Sequence, residues 1–219
     1  MGILSHCHVV ITAGPTHEAI DPVRFVANAS SGKLGYALAR LARERGARVT
    51  LISGPAALVP PRRVRLIRVI TARDMYRATV RTAPTADIVI MAAAVADFRP
   101  ATIHRHKMKR SGTQRLTLSL VANPDILATV TRRKRADQMV VGFALESRNL
   151  LRQARKKLRA TGCNMLVANT VAAIGAPRQR AVLLDHHGPM VHLPLLDKTR
   201  LARRILRHAA TRWRAMQHD

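Results

Sequence analysis

Apolar residues recur along the chain in short runs whose period switches repeatedly between strand and helix. Val9-Val10-Ile11-Thr12-Ala13 is an unbroken run rich in β-branched residues, as a strand buried on both faces requires. Leu34, Ala37, Leu38, Leu41 and Ala42 follow at helical spacing, with Arg40, Arg43 and Glu44 on the opposite face, and Gly46 ends the pattern. Residues 49–53 form a second apolar run, stopped by Gly54-Pro55. Strand, helix, strand is a βαβ unit, whose right-handed crossover calls for a doubly wound sheet. The switching continues. Residues 64–70 interleave arginine with aliphatics, as a half-buried third strand does, and Thr71-Ala72-Arg73-Asp74 opens a helix that ends before Pro84. Residues 87–91 read as a central strand, and Leu116, Leu118 and Leu120 alternate like a strand. Asn123-Pro124-Asp125-Ile126-Leu127 opens a short helix, and 140–144 and 165–169 are buried strands. Between those strands lies a helix with Leu151, Ala154 and Leu158 on its inner stripe, closed by Gly162. Residues 182–184 and 191–193 predict a hairpin joined through His187-Gly188-Pro189, and Leu201, Ile205, Ala209 and Trp213 mark a closing helix.

The predicted fold is α/β: a Rossmann-like, doubly wound, mostly parallel sheet with helices on both faces, a basic flap and a small late β-hairpin. There is no internal repeat and no long linker, so residues 1–219 predict a single domain. With 219 residues, 47% of them hydrophobic, one sizeable core can form. No apolar run reaches the roughly 18 to 20 residues of a membrane span, and residues 1–8 are too short for a secretory leader. The expectation is a soluble, cytoplasmic protein with no membrane partner. Cys7 and Cys163 both flank apolar runs and read as small buried hydrophobes rather than a disulfide. No Cys/His cluster has zinc spacing, and His104, His106, His186 and His187 read as solvated surface.

Charge changes the picture. The formal net charge is +26, and seven lysines leave 31 arginines among 38 cationic residues. Such a chain attracts polyanions non-specifically. Aromatic residues are only 3%, however, no nucleic-acid module is visible, and the arginines are spread along the chain. The charge is read as compositional drift toward arginine. A basic nucleic-acid-binding protein without catalytic activity is the rival that charge alone supports.

Three stretches carry candidate chemistry. The segment Arg24-Phe25-Val26-Ala27-Asn28-Ala29-Ser30-Ser31-Gly32-Lys33-Leu34-Gly35 joins the first strand to the first helix. Small residues let backbone N–H groups approach an anion, the helix start adds partial positive charge, and Lys33 adds a full one. Spacing rules out a P-loop, and small residues also simply cap helices, so both readings stand on these residues alone. Ala92-Ala93-Ala94 leave room for a flat ligand at the carboxyl end of the central strand, where open α/β sheets bind ligands. Residues 104–115 form a basic loop around Lys107-Met108-Lys109-Arg110. A Rossmann-type NAD(P)-binding oxidoreductase is disfavoured, because the first loop lacks Gly-x-Gly-x-x-Gly and Ser53, not an acid, ends the second strand.

The wording Ile11-Thr12-Ala13-Gly14-Pro15-Thr16, Asp21-Pro22-Val23-Arg24-Phe25, Asn28, Ser30-Ser31-Gly32-Lys33 and Gly35 closely resembles the opening of the phosphopantothenoylcysteine synthetases. Further motifs similar to that family follow in its order. They are residues 92–97 with an aromatic after them, Lys107-x-Lys109-basic, Asn123-Pro124-Asp125-Ile126, and Val141-Gly142-Phe143-Ala144-x-Glu146. The resemblance runs over roughly residues 8–208 and is densest before residue 150.

That resemblance implies a homodimeric ligase of coenzyme A biosynthesis. Such an enzyme activates the carboxylate of 4′-phosphopantothenate with CTP and Mg2+ as an acyl-cytidylate, then lets the amine of L-cysteine displace CMP. Relatives outside bacteria use ATP. It implies catalytic roles for Asn28, in the second half-reaction, and for Lys107, which contacts the nucleotide and helps select cytosine. Lys109 and Arg110 reach phosphate, across a subunit interface. Ser30, Ser31, Gly32 and Lys33 line the phosphate side, Ala93 and Ala94 offer backbone to the base, and Arg24 clamps a substrate anion. Asp97 binds ribose hydroxyls or a metal-bound water. Asp125 is either a metal and triphosphate ligand or a helix first-turn acid, and Phe143 either packs near the nucleotide or is an ordinary buried strand residue. Two features depart from the family: Thr170 stands where many relatives have Asp, and residues 174–180 lack the usual Phe-Asn and Glu-Asn pairs. No decarboxylase segment precedes Met1 in this sequence, which reads as a free-standing synthetase or a domain cut from a fusion.

Overall fold

The computed structural model describes residues 3–110, 115–186 and 188–217; residues 111–114 of the predicted basic loop and His187 of the predicted hairpin lie outside them. The elements in chain order are β1 (His8–Ala13), β2 (His17–Ala19), β3 (Phe25–Ala27), α1 (Lys33–Glu44), β4 (Arg48–Ser53), β5 (Arg65–Arg68) and α2 (Ala72–Thr82). Then come β6 (Ile88–Met91), β7 (Phe98–Pro100), β8 (Leu120–Ala122), α3 (Ile126–Arg132), β9 (Met139–Glu146) and α4 (Leu150–Thr161). The chain closes with β10 (Met165–Thr170), β11 (Arg178–Asp185), β12 (Val191–Asp197) and α5 (Lys198–Ala215).

Eight strands make one sheet in the order β5-β4-β1-β6-β9-β10-β11-β12. The first six are parallel and the last two antiparallel. Counted among themselves, the parallel strands run 3-2-1-4-5-6, so strand order reverses between β1 and β6, the point where such sheets bind ligands. Every residue of β1 and β6 is buried, which accounts for their unbroken apolar runs. The core lies in two layers. Leu38, Leu41, Leu201 and Ile205 of α1 and α5 pack on one face, and Met75, Val130 and Leu158 of α2, α3 and α4 pack on the other. Helix α2 starts with a capping box, Thr71 and Asp74 exchanging side-chain and backbone bonds, and the buried Glu18 carboxylate accepts the Ala72 N–H at 2.8 Å. At the amino edge, the buried His8 donates from Nδ1 to the Thr85 carbonyl at 2.8 Å. A carbonyl only accepts, so Nε2 accepts from the Thr50 hydroxyl at 3.0 Å.

The α/β fold stands as predicted, with three differences. The long loop after β1 contains a hairpin, β2–β3, on which His17 stacks against Phe25 with ring centroids 3.8 Å apart. The alternating leucines do not form a strand at 116–120. Only 120–122 is extended, pairing antiparallel with β7 outside the main sheet, and Leu116 is 57% exposed. Alternation specifies a strand only where one face has something to pack on, and residues 115–122 are exposed apart from the half-buried Leu118. The late hairpin is larger than expected and belongs to the main sheet, with β11 paired to β10 and β12 at the edge. Cys7 and Cys163 are free and buried; burial and the Asp87 charge push the Cys7 thiol up to about 12, and burial raises Cys163. His104 and His106 are exposed as read, whereas His186 bonds the Cys163 carbonyl at 3.1 Å. No helix among the described residues is long and apolar enough to cross a membrane.

Candidate active site

At the carboxyl edge of the sheet, the loops after β1, β4 and β6 meet with almost no space between backbones. A Cβ on Gly54 would lie 1.7 Å from the Pro15 carbonyl oxygen, and one on Gly35 would lie 2.5 Å from the Ala13 Cβ. Only hydrogen fits at these two positions, so the first turn of α1 rests directly on the end of β1. Side chains and backbone then zip the first loop to the third. Ala94 N donates to the Gly14 carbonyl at 2.9 Å, Ala93 N to the Thr12 hydroxyl at 3.2 Å, and Ala96 N to the Thr16 hydroxyl at 3.0 Å. With their N–H groups engaged, Ala93 and Ala94 can offer a ligand carbonyl oxygen.

Helix α1 begins at Gly32, in the left-handed conformation at φ 74°, with no side-chain cap and no acid in its first turn. The first helical bond is Tyr36 N to the Gly32 carbonyl at 3.1 Å. Ser30 accepts the Gly32 N–H at 3.3 Å and Ser31 the Lys33 N–H at a long 3.5 Å. The start of α1 therefore keeps poorly matched donors and its dipole, beside the exposed Lys33. A residue that sequence reasoning missed lies close to it. Lys198, first in α5, is half-buried, and its ammonium donates to the Ala173 carbonyl at 3.2 Å and to Gln179 Oε1. Burial, and then the charge of Lys33, push its pKa down. A signal existed: in a chain with 31 arginines the seven surviving lysines are informative, and Lys33, Lys107, Lys109 and Lys198 are four of them.

The basic loop is clasped to the first loop through Asp21, which was not singled out from the sequence. Its buried carboxylate accepts the N–H groups of Val23 and Arg24 at 2.9 Å. It also accepts the Arg24 Nε at 2.9 Å and the Met108 N–H at 3.1 Å. Arg24 Nη2 donates onward to the Met108 carbonyl at 2.7 Å. The Arg24 guanidinium, then the backbone donors, hold the Asp21 carboxyl well below its usual range. Arg24, expected to clamp a substrate anion, thus has intramolecular partners on Nε and Nη2, because the turn at 21–24 folds it back onto its own acid. Lys107 and Lys109 flank the held residue and are exposed.

Asn28, at the end of β3, donates from Nδ2 to the Val95 carbonyl at 2.8 Å, tying the hairpin to the loop after β6. Asp97 is exposed, and its carbonyl accepts Asn123 N at 2.8 Å while the Asn123 side chain donates to the Ala96 carbonyl at 2.9 Å. Two residues on, Asp125 caps α3, its Oδ1 accepting Ala128 N at 2.8 Å. Among the described residues no three His, Cys, Asp or Glu side chains gather to hold a metal. Carboxylates such as those of Asp97 and Asp125 suit a magnesium ion carried mostly by phosphate and water. Phe143 is half-buried and packs with the α1–α5 layer. Hydrogen bonds thus tie Asn28 to the loop that carries Ala93 and Ala94, and Arg24 to the basic loop; the helix start meets the first loop where Gly32 packs against Gly14, and Asn123 links the backbone beside Asp97 to the segment that carries Asp125. No such bond links Phe143 to the rest.

The family model described as the DNA/pantothenate metabolism flavoprotein C-terminal domain matches residues 4–212. The chain belongs to that family. It is 43% identical over 207 residues to the coenzyme A biosynthesis bifunctional protein CoaBC of Vibrio vulnificus, a match covering 93% of this chain and 52% of that protein. Against CoaBC of Bacillus subtilis it is 45% identical over 208 residues, with 93% and 51% covered. The chain thus spans about half the length of the curated relatives it matches. The crystal structure of the C-terminal domain of CoaBC is similar at a TM-score of 0.85 and 39% identity, with both chains fully covered. A Cab2 variant in complex with phosphopantothenate-cysteine shares the fold, with a TM-score of 0.79 at 18% identity over 97% of this chain and 89% of that one. The motif resemblance and the family match agree.

Proposed function

We propose that this domain is a cytoplasmic, CTP-dependent phosphopantothenate–cysteine ligase of coenzyme A biosynthesis. The observation that carries the reading is an uncapped helix start and Asn28 beside the switch point of the sheet, with the basic loop clasped to the same long first loop. The CoaBC relatives and the ligand of the Cab2 variant point to the same substrates. Residues 30–33, with Lys33 and Lys198, hold the phosphates. The carbonyls of Ala93 and Ala94 face the base, and Lys107 and Lys109 close over the nucleotide from the basic loop. Asp97 and Asp125 would hold Mg2+, whose charge offsets that of the triphosphate. In the first half-reaction the substrate carboxylate oxygen attacks the α-phosphorus, the Pα–O bond to the β-phosphate breaks, and pyrophosphate leaves into the cationic cradle. In the second, the cysteine amine attacks the acyl carbon, the C–O bond to CMP breaks, and the nitrogen loses a proton to water. Asn28, fixed by Val95, places a neutral amide beside that carbon, able to donate to an oxyanion and accept from an amine. Val23, Phe25, Phe98, Ile103 and Leu120 on the two ribbons and their flanking loops expose apolar surface, which a second copy of the chain would cover in a homodimer.

The test incubates the protein with 4′-phosphopantothenate, L-cysteine, Mg2+ and either CTP or ATP and identifies products by mass. Release of CMP and pyrophosphate, with amide formed only when both substrates are present, is expected. No amide with either nucleotide overturns the reading. Asn28→Asp loses the donor to Val95 and adds a charge, so acyl-cytidylate accumulates. Amide formation at the normal rate would remove Asn28 from the mechanism.

A further inference from the structure

A second collection of cations lies at the far end of α1. That helix has 12 residues, about 18 Å at 1.5 Å per residue, and it separates Lys33 in the phosphate cradle from Arg45 at its C-cap. Arg45, Leu196 and the α5 residues Arg200, Arg203, Arg204 and Arg207 line a groove of about 540 Å3. The four α5 arginines recur at i, i+3, i+4 and i+7, which puts them on one face of the helix. Arg204 and Arg207 also border an adjoining hollow of about 190 Å3 whose floor is Leu183, Val191 and Leu193.

What sets this groove apart from the general arginine load is the gathering of five arginines, one of them half-buried, around one space. Elsewhere Arg135 pairs with Asp87 and Asp137, Arg212 with Asp185, and Arg77 with Asp74. In the groove, Arg200 has Asp197 at 3.4 Å, while Arg203, Arg204 and Arg207 make no ion pair or hydrogen bond among the described residues. Arg45 is half-buried, and its Nη1 is buried without a hydrogen-bond partner. Burial and the charge of Arg203 push its pKa down. Guanidinium groups facing one space repel each other, and desolvating one without an acceptor is unfavourable. An anion entering the groove relieves both. Guanidinium groups present planar, bidentate donors that match phosphate. Their recurrence at one-turn intervals, about 5.4 Å, over two elements suits a chain of linked phosphates better than a single one.

We propose that this groove is a second anion site, selective for linear polyphosphate groups, the chemistry shared by nucleoside triphosphates and inorganic polyphosphate. The proposal does not rest on the ligase reading. Its test titrates inorganic tripolyphosphate calorimetrically into the Lys33→Ala protein, which weakens the cradle, at an ionic strength of about 0.15 M. The same titration is made with Arg203→Gln/Arg207→Gln added, and with Arg62→Gln/Arg63→Gln added as an exposed pair of equal charge elsewhere. The groove pair is expected to lose about tenfold in affinity per guanidinium, and the control pair much less. In the Lys33→Ala background, adding the groove pair abolishes the rise in melting midpoint with tripolyphosphate, and in an otherwise wild-type chain the groove pair leaves ligase turnover unchanged. CTP, ATP and long-chain polyphosphate titrated in parallel separate the sources. Tighter nucleotide binding places a base over the Leu183 floor, and equal or tighter binding of the inorganic chains marks a polyphosphate site. Equal losses in the groove and control pairs, or no loss in either, overturn the proposal.

Discussion

Ile90, in the middle of the main sheet, has no exposed surface, whereas Phe98 on the β7–β8 ribbon just beyond it is 54% exposed. The two regions are one continuous stretch of chain, yet their side chains answer to different demands. In the sheet, each apolar side chain is chosen by what packs on it from two layers of helices. On the ribbons, Phe25, Phe98 and Leu120 carry large apolar side chains that stay about half exposed, Phe25 even with His17 stacked on it. What positions the ribbons is polar: the Asp21 clasp on Met108, Asn28 on Val95 and Asn123 on Ala96. The core supplies stability, and the edge keeps apolar surface in water.

Four substitutions break or sharpen that contrast. The largest effect on stability is expected from Ile90→Ala, which leaves a cavity in a fully packed layer and lowers unfolding free energy by about 2–5 kcal/mol in denaturant titration. Phe98→Ala should cost less than about 1 kcal/mol, because its ring already lies half in water, while sedimentation is expected to show loss of the proposed dimer. If both substitutions destabilise the protomer equally, the ribbon belongs to the core and the contrast fails. Next in size, Asp21→Asn unfastens the basic loop. The nucleotide kcat/KM is expected to fall between about tenfold and a hundredfold, since the loop lysines lose their placement. An unchanged kcat/KM would show that the clasp positions nothing used in catalysis. The smallest effect is a pH dependence. Burial lowers the His8 pKa from its ordinary 6.5. The unfolded chain therefore takes up the proton first, and stability declines as pH falls below about 6.5 toward the folded value. His8→Gln should flatten that part of the stability profile. The depressed Asp21 carboxyl acts much lower: its contribution is present above the ordinary 3.8 and is lost as pH falls below it toward the folded value.

The same contrast explains what was legible in the sequence. β1 and β6 are buried at every residue, and α1 buries a stripe from Gly35 to Ala42, so burial writes its period into the residues. The three-residue strands β2, β3, β7 and β8 bury too little to leave a period. The leucines at 116 and 118 alternate without forming a strand in the described chain. At the site, the helix start at 30–33 was readable because small residues and a lysine at a strand-to-helix turn have one strong physical use. The partners of Arg24 were not, because a turn acid three residues away and a main-chain group 84 residues later look unremarkable on paper. Asp125 left two readings open, and its bond to Ala128 gives it a cap to form whatever else it binds.

The clasp on the basic loop grips Met108 by its peptide N–H on one side and its carbonyl on the other. A fastening of this kind is indifferent to which amino acid occupies the fastened position, provided it is not proline, which has no N–H to give. Inheritance can therefore rewrite the letters of the loop, including its middle one, without undoing the buckle. The two residues that cannot be rewritten with it are the ones that form the buckle itself, far upstream at Asp21 and Arg24.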